Sequence, residues 1–256
     1  MATAAKEDIN AHLGDSRRVL MVLTSHDKLG DTGKSTGWFL SEAAHTWHVF
    51  HYAEWDIDWV SPKGGAAPCD PGMSICMTCK WYLDSIKKGE NDPICQEFLK
   101  EADVQKAVKN TKKPAEIDAK QYNGILVYFV GGHGTMFDLV ENKELAAVSA
   151  YVFEKKHGVV AAVCHGAAGM LNVKLSNGDY MIKGHTLTCF TNAEEEEVGL
   201  SKVMPFQLET AVKERGAKFS SAKNWAKNFE SSSRVITGQN PASATATAEA
   251  VVVMVD

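Results

Sequence analysis

Apolar residues along this chain gather in short runs, and between them lie stretches of helical spacing. Arg18 to Leu23, RVLMVL, is the first run; it stops at the polar, glycine-containing TSHDKLGDTGKSTG and reads as a buried strand followed by a loop. In TGWFLSEAAHTW, Phe39, Ala43 and Trp47 recur four residues apart, which predicts a helix over 36–47 with Thr36 as its cap. Trp55 to Ser61 alternates as a strand does, so the chain opens as a βαβ unit. Ile125 to Val130 is a continuous apolar run of the kind parallel strands need, ending at a glycine loop. NKELAAVSAYVFEKKHG then predicts a helix closed by Gly158, and Val159 to Val163 a further strand. HTLTCFTN and SRVITG read as strands, and MPFQLETAVKERGA as a helix with proline near its start and glycine after its end. Residues 62–120 break the rhythm with prolines, glycines, four cysteines and the charged, helix-like QEFLKEADVQKAVKN. They read as an insertion or cap within a single domain over 1–256.

Strands alternating with helices predict an α/β fold, a mostly parallel sheet with helices on both faces and function at the carboxyl ends of the strands. Three such ends attract notice: the loop after the first strand, Gly131 to Gly134 after the third, and Cys164–His165 after the fourth. A chain of 256 residues is long enough for one sizeable core.

Composition narrows the choice of partner. Hydrophobic residues make up 45% and charged residues 23%, with a net charge of −5 and no polybasic patch, so neither nucleic acid nor an anionic lipid surface is expected. Near the start, the one apolar run, Val19 to Leu23, is too short to span a bilayer; no membrane association is expected, and the chain reads as cytoplasmic. Six cysteines at this length read as thiols rather than a disulfide framework.

The sharpest chemical signal is GVVAAVCHGAAGML, residues 158–171, in which a strand ends in Cys164 and His165. A cysteine on a tight strand-to-helix turn projects its sulfur, and a helix N-terminus behind it is expected to lower the thiol pKa. Ala162 two residues before and Gly166 two residues after leave the room such a turn needs, as in the G-x-S-x-G elbow with alanine for the first glycine. The competing reading is a cysteine that simply fills space at a strand end. In GGHG, the bare backbone of Gly131, Gly132 and Gly134 allows an amide to meet a substrate oxygen, with the His165 amide as second donor; a tight turn explains the same glycines. His133 either lines that pocket or is an ordinary hydrogen-bonding residue. Cys69, Cys76, Cys79 and Cys95 give C-x6-C-x2-C-x15-C, whose first spacing is not that of a zinc knuckle, so no metal is expected there. Cys189 reads as core.

Five segments, AAVCHGAAG, GGHGTMFD, SEAAH following GKSTGWF, FTNAEEE and GQNPASA, resemble the ThiJ/PfpI superfamily in order, and within it the glyoxalase III branch, which also holds heat-shock chaperone relatives. The resemblance runs from about Val19 to about Ala244. It implies a flavodoxin-like sandwich with a cysteine nucleophile; many members are dimers, so a homodimer is one expected state. It also implies conversion of the small dicarbonyl methylglyoxal to D-lactate without glutathione, metal or other cofactor. Carried across, the nucleophile falls on Cys164, its partner on His165 and the acid beside it on Glu42. The acid that orients the histidine falls on Glu195, with Glu194 as competitor in the run Glu194 to Glu197. The alternatives are a stress-response holdase whose apolar surface takes unfolded chains, and deglycase, hydrolase or amidotransferase chemistry on the same nucleophile.

Overall fold

A computed structural model describes residues 17–71, 91–120 and 125–256. Its main sheet has six strands: β1 (Arg18–Val22), β2 (Asp56–Val60), β3 (Ile125–Phe129), β4 (Val160–Val163), β7 (Phe229–Ser232) and β8 (Val235–Gly238), in the order β2-β1-β3-β4-β8-β7. All neighbours run parallel except β7, which pairs antiparallel with β8 and closes one edge. In register, Val22 lies beside Phe129, Phe129 beside Ala162, and Val163 beside Gly238, so the strand ends finish level. Every residue of β4 and β8 is buried, as Val and Ile runs require when both sheet faces are covered. The short β5 (Thr186–Leu187) and β6 (Lys218–Phe219) form a separate parallel pair. HTLTCFTN therefore gives far less strand than its pattern predicts, because the Thr188 amide turns away from the ladder to the Thr237 hydroxyl, 2.9 Å.

The helices are α1 (Leu40–Tyr52), α2 (Pro93–Lys100), α3 (Ala102–Val108), α4 (Thr135–Asp138), α5 (Lys143–Lys155), α6 (Asn192–Glu197), α7 (Leu208–Glu214) and α8 (Ala244–Val255). Helix α1 starts later than its pattern suggests. Residues 37–39 run extended beside 67–70, with the Trp38 amide on the Pro68 carbonyl and the Asp70 amide on the Trp38 carbonyl. Thr36 is consequently not a cap; its hydroxyl donates to Asp70 Oδ2 at 2.8 Å, and Phe39 holds the N-cap position without a side-chain bond. The charged QEFLKEADVQKAVKN is two helices rather than one, broken where Glu101 turns extended with ψ 108°. At the end of α5 the left-handed residue is His157, φ 52°, and Gly158 follows it with its amide on the Val152 carbonyl. Phe98 of α2 is buried among Trp38, Trp47 and Trp59, its ring 5.6 to 6.1 Å from theirs. Among the described residues no helix is long and apolar enough to cross a membrane.

Candidate active site

The chain leaves β4 at Val163 in extended conformation and turns at once into a 3-10 helix over Cys164–Met170. Cys164 sits at φ 57°, a left-handed conformation that costs a non-glycine residue roughly 1–2 kcal/mol and that marks a sharp elbow. Gly166 is required by the same turn, since a Cβ there would meet the carbonyl oxygen of Phe129. The loop after β3 closes over the elbow. Thr135 Oγ1 donates to the carbonyls of both Gly132 and His165, at 2.8 and 2.9 Å, which ties the GGHG loop to the turn. Gly132 takes φ 107°, and a Cβ on Gly131 would overlap the Glu42 carboxyl and Cys164 Cβ. The first loop joins them through Thr24 Oγ1 and the Ser25 amide, each 2.7 Å from the Asp138 carboxylate.

Glu42, in the first turn of α1, is fully buried and points inward. Its carboxyl lies against the Cys164 thiol and the Gly131 amide, both favouring the charged form, but neither oxygen has a hydrogen bond of good geometry. Burial dominates and pushes its pKa up to about 8. Glu42 is therefore a protonated donor at neutral pH rather than a ready base. Burial, reinforced by Glu42, also drives the Cys164 thiol well above its ordinary pKa. The His165 amide opposes this and loses, so the lowering expected of a helix N-terminus is overturned and the resting sulfur is a thiol.

Cys164 Sγ lies 3.3 Å from His165 Nδ1, and His165 Nε2 lies 2.6 Å from Glu195 Oε2. With an ionised Glu195, the Nε2–H donates to the carboxylate and Nδ1 is left to accept the thiol proton. Burial works against the charge on Glu195, yet His133 and His165 together hold its carboxyl well below the usual carboxylate range. Its second oxygen meets His133 Nε2 at 3.1 Å. Burial and the neighbouring His133 lower the pKa of His165, whereas for His133 the carboxylate outweighs burial and raises it. The opposed directions favour positive charge on His133 over His165, beside a Glu195 held in its ionised form.

The structure brings Cys164, His165, Glu42, Glu195, His133 and the Gly131–Gly134 loop together. Glu194 is also buried but faces elsewhere. It forms a capping box with Thr191 and accepts from the Trp225 amide, Gln239 Nε2 and Asn240 Nδ2. The pattern of alternating strands and helices did not single out Phe190, whose ring stands 4.3 Å from that of His165 and screens it from solvent. Its position within FTNAEEE was the available signal. Cys189 is in the core, Cys69 is exposed, and Cys95 is buried in α2, while Cys76 and Cys79 lie outside the described residues.

The chain is similar to known proteins over most of its length. The family model described as "DJ-1/PfpI family" matches residues 37–254. Glyoxalase 3 of Candida albicans is 31% identical over 242 residues, covering 92% of this chain and 97% of that protein. A glutathione-independent glyoxalase of Saccharomyces cerevisiae is 31% identical over 241 residues, covering 91% and 95% respectively. The X-ray structure of the Rapid Encystment Protein 24 KDa of Francisella tularensis superposes with a TM-score of 0.83 at 37% identity, covering 93% of this chain and 98% of that one.

Proposed function

The chain belongs to the DJ-1/PfpI family, and from that premise we propose that it is a glutathione-independent glyoxalase, turning methylglyoxal into lactate through a Cys164–His165–Glu195 site with Glu42 as acid. The observation that carries this reading is the proton path from sulfur to imidazole to carboxylate, 3.3 and 2.6 Å, at a strained elbow. The names of the two glyoxalase relatives support the substrate class.

In this reading His165 Nδ1 takes the thiol proton as the sulfur adds to the aldehyde carbon, giving a hemithioacetal oxyanion beside the Gly132 and His165 amides. The imidazolium returns that proton to the oxyanion and becomes a neutral base again. His165 next removes the proton on the former aldehyde carbon while protonated Glu42 gives its proton to the ketone oxygen, leaving an enediol. The His165 imidazolium returns its proton to the second carbon while the hydroxyl on the former aldehyde carbon gives its proton back to Glu42, which yields a neutral thioester of lactate, and water cleaves it to lactate and the Cys164 thiol. Atoms balance as methylglyoxal plus water, with no net oxidation. Glu195, kept ionised by both histidines, steadies each imidazolium stage.

The deciding experiment uses purified protein with methylglyoxal and no glutathione, following dicarbonyl loss and lactate formation together. Equimolar lactate from the wild type and none from Cys164→Ala is the expected result. A wild-type protein that consumes no dicarbonyl would overturn the proposal.

A further inference from the structure

A second cluster lies outside the chemistry around Cys164. His45 of α1, Asp92 at the N-cap of α2 and Cys95 in its first turn bring one nitrogen, one oxygen and one sulfur within 4.8 Å of one another. His45 Nε2 is 3.1 Å from Asp92 Oδ2, a separation close to that of two ligands on one tetrahedral ion. Two of the three ligands are held in place from behind. The other oxygen of Asp92 accepts from the amides of Ile94 and Cys95, at 2.8 and 3.3 Å, which aims Oδ2 at the imidazole. His45 Nδ1 meets the Thr245 hydroxyl of α8 at 2.9 Å. A hydroxyl can donate or accept, so it satisfies either tautomer, including the one that frees the Nε2 lone pair for a metal. Cys95 is fully buried, while the His45 and Asp92 side chains are 23% and 29% exposed, which leaves an approach from solvent.

We propose that His45, Asp92 and Cys95 bind a divalent cation of the zinc class, clamping α1 to α2. Imidazole, carboxylate and thiolate suit zinc, and three protein ligands leave a fourth position for water or a small exogenous ligand. Binding releases the Cys95 proton, so affinity rises with pH. The cysteine spacing does not point to this site, because two of its three ligands are not cysteines and one lies in α1. His45 is one helical turn beyond Glu42, so an ion here stiffens the helix that positions Glu42 without touching it. His133, His165 and Glu195 also meet the distance requirement, but both imidazole Nε2 atoms already face the carboxylate and all three side chains are buried.

The test uses the full chain, stripped of metal, titrated with zinc against a chromophoric chelator and separately with cobalt. One ion per chain is expected, together with a near-ultraviolet thiolate-to-cobalt band and a zinc-dependent rise in melting temperature. His45→Ala and Asp92→Asn should abolish the melting shift, Cys95→Ser should remove the band, and Thr245→Val should weaken binding roughly 10–100-fold, the usual effect of losing a supporting partner. His45→Ala alters a partly exposed side chain, so its result stands even if Cys95→Ser folds poorly. Binding should survive Cys164→Ala and the double change Cys76→Ser with Cys79→Ser. The absence of stoichiometric binding would overturn the site. So would binding that survives His45→Ala, or binding lost with Cys164 or with the Cys76 and Cys79 pair.

Discussion

The rings of His133 and His165 stand 4.1 Å apart, centroid to centroid, and share one carboxylate between them. The carboxylate raises the pKa of His133, whereas burial and His133 lower that of His165, so the two rings are pushed in opposite directions. Replacing His133 by Asn removes the cation that lowers the His165 pKa. His165 then stays protonated to higher pH, so the acid limb of the pH profile of kcat/KM should move upward. An acid limb that stays in place would show that His133 does not tune His165.

Glu42→Gln removes the proposed acid while keeping its shape. Turnover should fall on the order of 10²–10⁴, the usual range for a general acid or base. Stability gives an independent check. With a folded pKa of about 8 against the ordinary glutamate value of 4.5, the native state holds a proton that the unfolded chain releases. Wild-type stability should therefore decline as pH rises between those two values, by a few kcal/mol in all, relative to Glu42→Gln measured alongside. Parallel denaturation curves at pH 5 and pH 8 would refute a buried, protonated Glu42.

Glu194 and Glu195 adjoin in sequence but should fail in different ways. Glu195→Gln should lower turnover less than Glu42→Gln does. Glu194→Gln disturbs a capping box and three further donors, so it should cost roughly 1–3 kcal/mol in denaturant unfolding, with modest loss of turnover in the folded fraction. The reverse assignment predicts the opposite pairing of effects.

Cys164→Ala should abolish dicarbonyl turnover and remain folded. Because the backbone there is left-handed, Cys164→Gly should be more stable than Cys164→Ala by about 1 kcal/mol, the reverse of the ordinary order within an element. A more stable alanine variant would mean that the elbow relaxes when the sulfur is gone.

The strand runs and the elbow were legible because each rests on local chemistry: apolar runs for β1, β3, β4 and β8, small residues flanking Cys164 for the turn. Periodicity could place Glu42 on a helix but could not say which face turns inward; that came from the resemblance to a family. The run of glutamates looked solvated, yet Glu194 and Glu195 are both buried. Their partners, Gln239, Asn240, Trp225 and the two histidines, lie 30 or more residues away along the chain, where no local rule reaches. Thr36 failed as a cap for the same reason, since Asp70 captures its hydroxyl. His45 and Asp92 likewise meet only through the packing of α1 on α2.

The strand order also governs how the protein is made. β1 lies between β2 and β3, so one of its edges stays bare until the ribosome has delivered Ile125–Phe129. Helix α8, which packs on α1, is delivered later still. At roughly 5–20 residues per second, the nascent chain spends seconds with Cys164 synthesised but Glu195 and α8 still missing. Over that interval the thiol lacks the burial that later raises its pKa and shields it from oxidants. A sulfur guarded in the finished fold is thus vulnerable during biogenesis, and the yield of active protein should depend on the redox state of the compartment in which translation occurs.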